Sequence, residues 1–327
     1  MASKADVKNK MNELRPRLTD KAINLYFRTI HNIGKFLTGE TEAHKINDFD
    51  FLLDVEGVMN YFREKDFSKS TQTTYLGQIL SVFESFNCVN NYEYSDIYDR
   101  YGEILEEFII ERDTLQKESP NIASPKQLEN WLDWEEIKSI HANMKETLEH
   151  LELPAKKMSV DERTLYENYV ILSLYVADED NPPLRNDYAN MRVIKKDDED
   201  DDEGNFLVLK APMRFVLNSY KTSKTYGKAT IKVGKKLKTI LLQYLKYHKT
   251  GHLINDAMGE PISHNVLTQR LTKIFQQNAS KNVSTQILRH SYITHHLPPD
   301  TRARNNLSKK MLHSPKMNLE YALYLDE

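Results

Sequence analysis

The second half of the sequence carries cationic side chains suited to phosphodiester chemistry. Arg185, Lys221 and Arg289 lie in three short polar segments, and Arg185 is expected where a helix follows a turn. Transferring a phosphodiester between oxygens needs a nucleophile, positive donors around the pentacoordinate phosphorus and an acid for the leaving oxygen. Arginine suits the second role because its planar guanidinium meets two phosphate oxygens and keeps its charge. These residues predict a phosphoryl-transfer site.

The C-terminal segment supplies the remaining functional groups. His313 lies in a Leu-His-Ser-Pro segment, and Tyr321 and Tyr324 follow it. A phenol can act as a nucleophile, and an imidazole can hydrogen-bond a phosphate or move a proton. Taken singly, each residue also suits a structural role, such as a surface salt bridge or a packing tyrosine. The order Arg, Lys, Leu-Arg-His, Leu-His-Ser, Tyr is the more specific signal.

In order and spacing, these segments resemble the catalytic signature of the tyrosine recombinases, or integrases. The match is closest over residues 288–295, Leu-Arg-His-Ser-Tyr-Ile-Thr-His, and the Trp-Glu-Glu-Ile sequence at 134–137 also fits. The resemblance covers nearly the whole chain. The segments around Arg185 and Lys221 are most similar to recombinases of large DNA viruses and mobile elements.

The resemblance implies a role for each polar residue of the signature. Arg185 and Arg289 would clamp the scissile phosphate, and His313 would hydrogen-bond it. Lys221 would protonate the leaving 5′ oxygen from a hairpin. Its neighbours Lys224 and Lys228 are alternatives for that role, and Lys221 could instead be a plain contact to the phosphate backbone.

Two tyrosines are candidates for the nucleophile. The family places its tyrosine about nine residues after the histidine that corresponds to His313, whereas Tyr321 follows by eight and Tyr324 by eleven. Tyr321 is favoured, because the connecting turn absorbs a one-residue deletion more easily than two added residues. The other tyrosine would be a packing residue.

One position departs from the family pattern. The family commonly has a histidine three residues before the second arginine, where this chain has Gln286. Glutamine can donate a hydrogen bond to phosphate but cannot exchange protons near neutral pH. Gln286 and His290 are therefore expected to support the site, and His290 is the histidine that could assist the nucleophile.

By this resemblance, the chain would cut and rejoin double-stranded DNA through a 3′-phosphotyrosyl bond, as a homo-tetramer, with no metal or cofactor. Two other functions stay open. One is DNA relaxation of the type IB topoisomerase kind, which uses nearly the same chemistry on one duplex. The other is non-catalytic DNA binding on a decayed recombinase scaffold, which Gln286 and the irregular tyrosine spacing favour.

The distribution of charge is uneven along the chain. The net charge is −3, yet residues 205–317 hold 20 Lys and Arg against three acidic residues. A concentrated positive segment is what a polyphosphate attracts. Residues 197–203 are all acidic and are expected to form an exposed loop, which could mimic DNA and occupy the basic surface.

Apolar patterning predicts a mainly α fold with a small antiparallel β-sheet. Residues 1–118 are expected to form a domain of four helices, and residues 119–130 a linker rich in proline and serine. The resemblance implies that the first domain is a SAM-like core-binding domain. Residues 131–327 would form the catalytic domain, which contains the predicted strands.

Cysteine content and hydropathy limit where in the cell the protein is expected. Cys88 is the one cysteine, so an internal disulfide and a thiolate metal site are excluded. No run of 18 apolar residues occurs, and the first residues lack an apolar signal core. An intracellular protein without a membrane partner is expected, in the cytoplasm, nucleus or a viral replication compartment.

Overall fold

A computed structural model describes most of the chain, in two compact units that comprise Met1–Pro120 and Asn121–Glu327. The described residues are 3–40, 48–118, 123–179, 181–195, 204–256, 258–298 and 300–323. Tyr324 and the acidic run 197–203 lie outside them. Within the described ranges, no helix is long and apolar enough to cross a membrane.

The described part of the first unit contains helices and their connections, with no strand. Its elements are α1 (Lys4–Leu14), α2 (Asp20–Thr38), a 3₁₀-helix (Asp50–Leu53), α3 (Val55–Glu64), α4 (Lys69–Val89) and α5 (Ser95–Glu118). Helix α4 packs against α1, α2 and α5. Aromatic rings fill much of the core, and the buried Tyr101 hydroxyl donates to the Leu52 carbonyl at 2.8 Å. Burial removes apolar surface from water and is the main stabilising term here.

The first unit has one α-helix more than predicted. The additional helix is α1, which buries only Val7 and Met11 on an otherwise polar surface. Such a narrow apolar stripe gives little helical periodicity to detect in the sequence. Its start is nevertheless well specified, because Ser3 and Asp6 form a reciprocal capping box.

The second unit surrounds its core with helices. These are α6 (Pro125–Glu129), α7 (Trp134–His150), α8 (Val160–Val176), α9 (Ser223–Tyr226), α10 (Lys235–Tyr247), α11 (His264–Ala279), α12 (Thr285–His296), α13 (Thr301–Lys310) and α14 (Pro315–Tyr321). Helix α8 is central, because it contacts α7, α10 and α11 and is buried from Tyr169 to Val176.

Helix α6 lies within residues 119–130, where a linker is expected. Ser124 caps it, Pro125 occupies the first helical position, and the Gln127 side-chain oxygen accepts from the Ser124 N–H. Proline is compatible with this position because the first helical N–H groups have no intrahelical acceptor. The prolines and serines of this stretch therefore begin a helix as well as interrupt one.

One four-stranded sheet accompanies the helices. Strands β1 (Arg192–Ile194), β2 (Asn205–Val208), β3 (Arg214–Leu217) and β4 (Ala229–Lys232) lie in the order β1-β2-β3-β4. Strands β2 to β4 pair antiparallel as predicted, whereas β1 pairs parallel with β2. The sheet is therefore mixed. Three residues of β1 are too few to show an alternating pattern in sequence.

Asn205 joins the sheet to the two segments that carry Arg185 and Lys221. Its Nδ2 donates to the carbonyls of Asp187 and Ser219, and its Oδ1 accepts from the N–H groups of Asn218 and Ser219. Asn205 is buried, so these partners replace water for its whole amide. One side chain thus sets the spacing between the β3–β4 hairpin and the loop before Tyr188.

We expect Asn205→Ala to lower the free energy of unfolding by about 1–3 kcal/mol, because it leaves buried backbone groups without partners. Urea denaturation measures the change, with the exposed Asn143→Ala as the matched control. Equal stability of the two variants would contradict this role for Asn205.

Candidate active site

Arg289 forms the buried centre of the site. It lies on α12 with 1% of its surface exposed, and it donates to the Pro183 carbonyl at 2.5 Å and the Met311 carbonyl at 3.2 Å. Its Nε–H has no partner in the described part of the chain. Burial lowers the pKa of Arg289, and the neighbouring Tyr321 hydroxyl opposes this shift. A buried guanidinium with an unused donor is suited to an anionic group.

Arg185 lies in the same neighbourhood but not on a helix. Residues 182–185 are irregular and a turn follows at 187–190, so the expected helix after this arginine is wrong. Two prolines restrict the backbone before Arg185 and disfavour a helix there. Burial raises the pKa of the Asp187 carboxyl, and the charges of Arg185 and Arg289 oppose that rise. Both guanidinium groups therefore act on one buried carboxyl.

The turn between α13 and α14 holds the hairpin next to the arginine. The Leu312 carbonyl accepts from the Thr222 hydroxyl at 2.9 Å, directly beside the Met311 carbonyl that accepts from Arg289. Leu312 adopts a left-handed φ of 55°, which turns these successive carbonyls towards different partners. Thr222 thereby anchors the segment that carries Lys221.

Lys221 itself is exposed and makes no hydrogen bond or ion pair with the described residues. It precedes α9, the short helix inside the β3–β4 connection, so its ammonium is available to a ligand. Lys224 and Lys228 are also exposed in this connection. Thr222 is bonded to the turn beside His313, which makes Lys221 the lysine adjacent to an anchored position.

Tyr321 lies against the buried arginine. It is the last residue of α14, and its ring centroid is 5.2 Å from the Arg289 guanidinium carbon. The His290 and His313 rings lie 4.6 Å and 5.4 Å from the Tyr321 ring, centre to centre. Tyr321 is 8% exposed. The structure thus brings together Arg289, His290, His313 and Tyr321, with Tyr324 outside the described residues.

His290 holds the backbone of Tyr321. Its Nδ1–H donates to the Tyr321 carbonyl at 2.8 Å, since a carbonyl can only accept. Its Nε2 is buried without a partner in the described residues. Burial lowers the pKa of His290, and the Arg289 charge adds to this effect. His290 is therefore a neutral imidazole whose bare nitrogen lies in the site.

Gln286 does not join the buried cluster. It is exposed in the first turn of α12, which Ser284 caps, three residues before Arg289. This spacing puts Gln286 and Arg289 on neighbouring positions of one helix face. Gln286 can therefore meet a ligand at the mouth of the site.

Asn318, Thr222 and Asn205 contribute to the site but carry no strong signal in the sequence. Asn318 is fully buried on α14 and accepts from His313 at 2.6 Å. Its spacing of three residues before Tyr321 is the one clue available, because it places both residues on one face of a helix. Within the described residues, no three His, Cys, Asp or Glu side chains cluster as metal ligands do.

Comparison with known proteins identifies the fold. Neither a family model nor a curated protein sequence matches this chain. The Tn1549 transposon integrase in complex with transposon right end DNA matches with a TM-score of 0.52 and 12% identity, over 99% of this chain and 96% of that one. The same integrase in complex with a circular intermediate DNA matches with a TM-score of 0.52 and 14% identity, over 100% of this chain and 96% of that one. The XerA recombinase matches with 13% identity over 98% of this chain and 94% of that one. Its TM-score of 0.41 is too low to carry an argument.

The chain therefore shares the fold of these Tn1549 integrase structures. This confirms the mainly α recombinase fold expected from the motif resemblance. At this level of identity the likeness concerns the fold, and the roles of the individual residues stay predictions.

We predict that His313 makes the protein less stable as the pH falls. The pKa of His313 is lowered from 6.5 to about 4, first by burial and then by the Arg289 charge. Between pH 6.5 and about pH 4, His313 binds a proton in the unfolded chain but not in the folded one. The contribution of His313 to stability is therefore fully present above pH 6.5 and is lost as the pH falls towards about 4. The destabilisation by His313→Gln, measured with urea, should therefore be smaller at about pH 5 than at about pH 7.5.

The exposed His150→Gln variant is the control for this comparison, since its histidine is 78% exposed. Because folding leaves this side chain exposed, the effect of His150→Gln on stability should not become smaller at the lower pH. A His313→Gln destabilisation that is equal at both would contradict a depressed pKa at His313.

Proposed function

We propose that the chain is a site-specific DNA recombinase or integrase in which Tyr321 is the nucleophile. The observation that carries the proposal is the contact between the Tyr321 ring and the buried Arg289 guanidinium, with the His290 and His313 rings also beside Tyr321. A phenol beside a buried cation and two neutral imidazoles suits attack on a phosphodiester. The fold shared with a transposon integrase supports the same reading.

In the proposed step, the Tyr321 hydroxyl oxygen attacks the phosphorus and the bond from phosphorus to the 5′ oxygen breaks. The phenol proton passes to a base, and the unpaired Nε2 of His290, whose ring lies 4.6 Å from the Tyr321 ring, is the proposed acceptor. Lys221 gives a proton to the leaving 5′ oxygen. Arg185 and Arg289 balance the charge on the phosphoryl oxygens. The product is a 3′-phosphotyrosyl ester, and a 5′ hydroxyl reverses the step without ATP.

Double-stranded DNA is the proposed partner. The excess of lysine and arginine in residues 205–317 supports this, because phosphate contacts dominate affinity for DNA. The Tn1549 integrase structures that match the chain contain DNA. Exchange between two duplexes needs four such sites, so a homo-tetramer on DNA is part of the proposal. A mobile element or DNA virus is the proposed source, which implies an intracellular site of action.

Covalent trapping tests the proposed function. A pool of nicked duplexes with a randomised centre lets the short strand released by cleavage diffuse away, so that a protein–DNA adduct accumulates and survives SDS. The wild type should form this adduct and Tyr321→Phe should not, because it lacks the attacking oxygen. Tyr324→Phe, which removes the same atom three residues later, should retain it.

The outcomes separate the competing functions. An adduct lost in Tyr324→Phe and kept in Tyr321→Phe would overturn the assignment of the nucleophile. DNA binding by the wild type with no adduct in any duplex would instead indicate a non-catalytic DNA-binding protein. Relaxation of a supercoiled plasmid without strand exchange between two duplexes would indicate a topoisomerase.

Lys221 should act as the acid, so Lys221→Ala should slow cleavage by about 10²–10⁴-fold. Lys224→Ala removes an equal charge three residues away and should leave the rate within about threefold of the wild type. A leaving group that needs no proton, a 5′ phosphorothiolate, should restore most of the Lys221→Ala rate. Equal losses in both variants, without such rescue, would contradict the assignment.

A further inference from the structure

A chain of buried hydrogen bonds links Arg289 to the helix that carries Tyr321. The Arg289 guanidinium lies 3.4 Å from His313 Nδ1, and His313 Nε2 lies 2.6 Å from Asn318 Oδ1. Asn318 Nδ2 donates to Ser308 Oγ at 2.6 Å and to the Arg304 carbonyl at 2.8 Å. Asn318, Ser308 and His313 are at most 3% exposed, so water does not compete for these bonds.

The chemistry of these partners fixes the direction of each bond. The Arg304 carbonyl can only accept, so the Asn318 nitrogen must face it and the Asn318 oxygen must face His313. His313 Nε2 must then carry the proton. Its Nδ1 is left with the lone pair, which matches a guanidinium that can only donate. Both ends of the chain require the same histidine tautomer.

This tautomer leaves His313 without a donor for a phosphate. Its one N–H is used by Asn318, and a second proton is disfavoured by burial and by the charges of Arg289 and Arg185. The Tyr321 ring of α14 lies 5.4 Å from the His313 ring, centre to centre. While α14 is docked, His313 is therefore an acceptor for Arg289.

We propose that Asn318 is a positioning residue that fixes His313 as the Nε2–H tautomer and thereby registers α14, with Tyr321, against Arg289. His313 then acts through the arginine. Asn318 and Tyr321 lie three residues apart on one helix, so the contact that sets the histidine also sets the tyrosine. The kinetic part of this proposal rests on the proposed function, whereas the tautomer does not.

Nitrogen-15 NMR of the histidine rings tests the tautomer in the DNA-free, full-length protein. Long-range proton–nitrogen correlations distinguish the two neutral tautomers, and His313→Gln assigns the signal. At neutral pH the wild type should show a neutral ring protonated at Nε2. Asn318→Leu, which has nearly the same shape without hydrogen-bonding atoms, should abolish the pure Nε2–H pattern.

Asn318→Asp should keep this tautomer, because its carboxylate still accepts from Nε2, and should raise the pKa of His313 by adding a negative charge. It should also be less stable than the wild type, because it removes the N–H donor that the Arg304 carbonyl and Ser308 Oγ share. His141, which is partly buried in the second unit and bonded to Ser173 Oγ at 2.7 Å, reports on folding in the same spectra. Its unchanged signal shows that the variants are folded. An Nδ1–H tautomer of His313 in the wild type would overturn the proposal.

The trapping assay tests whether Asn318 positions Tyr321 against Arg289. Asn318→Leu should slow adduct formation by about tenfold or more while DNA affinity stays within about twofold. Asn318→Asp should recover part of that rate at high pH, where His313 is neutral. Asn305→Leu makes the same change at an exposed position of α13 and should match the wild type.

An Asn318→Leu variant that keeps both the tautomer and the wild-type rate would contradict the proposal. A wild type that shows the Nε2–H tautomer but forms no adduct would contradict the proposed function alone, and the role of Asn318 in setting His313 would stand.

Discussion

The site depends on one buried positive charge. Arg289 has 1% of its surface exposed, and the neutral carbonyls of Pro183 and Met311 receive its hydrogen bonds. Removing a charge from water is costly unless hydrogen bonds or an opposite charge compensate it. The fold supplies the hydrogen bonds, and the nearby Asp187 interacts with the charge. The guanidinium is consequently held in place before any ligand arrives, which is the condition for electrostatic stabilisation of a transferring phosphoryl group.

The elements around Arg289 are each attached to it through a backbone group. The loop before Tyr188 contributes the Pro183 carbonyl, and the turn after α13 contributes the Met311 carbonyl. That turn in turn anchors Thr222 of the β3–β4 connection. Asn205 ties the same connection back to the loop. The arrangement forms a closed set of contacts around one side chain, so distant parts of the sequence converge on Arg289.

Sequence alone could indicate much of the site but little of its support. Arg289, His313 and Tyr321 are recognisable because their residue types and order resemble a known motif, and the structure brings them together. Thr222 and Asn318 are not, because their partners are a backbone carbonyl and a histidine ring whose positions depend on tertiary contacts. The elements α1, α6 and β1 are too short or too polar to show a periodic apolar pattern in the sequence. Arg185 was expected beside a helix, and proline geometry overrides that expectation.

Mapping the attachment site of DNA on the protein tests the central claim most directly. Digestion of a trapped adduct with nuclease and trypsin should release the peptide 317–327, which follows Lys316 and contains both C-terminal tyrosines. Fragmentation by mass spectrometry separates the two. The account predicts a nucleotide phosphate on Tyr321, the phenol that lies against Arg289. A modified Tyr324, or attachment at any residue outside this peptide, would contradict it.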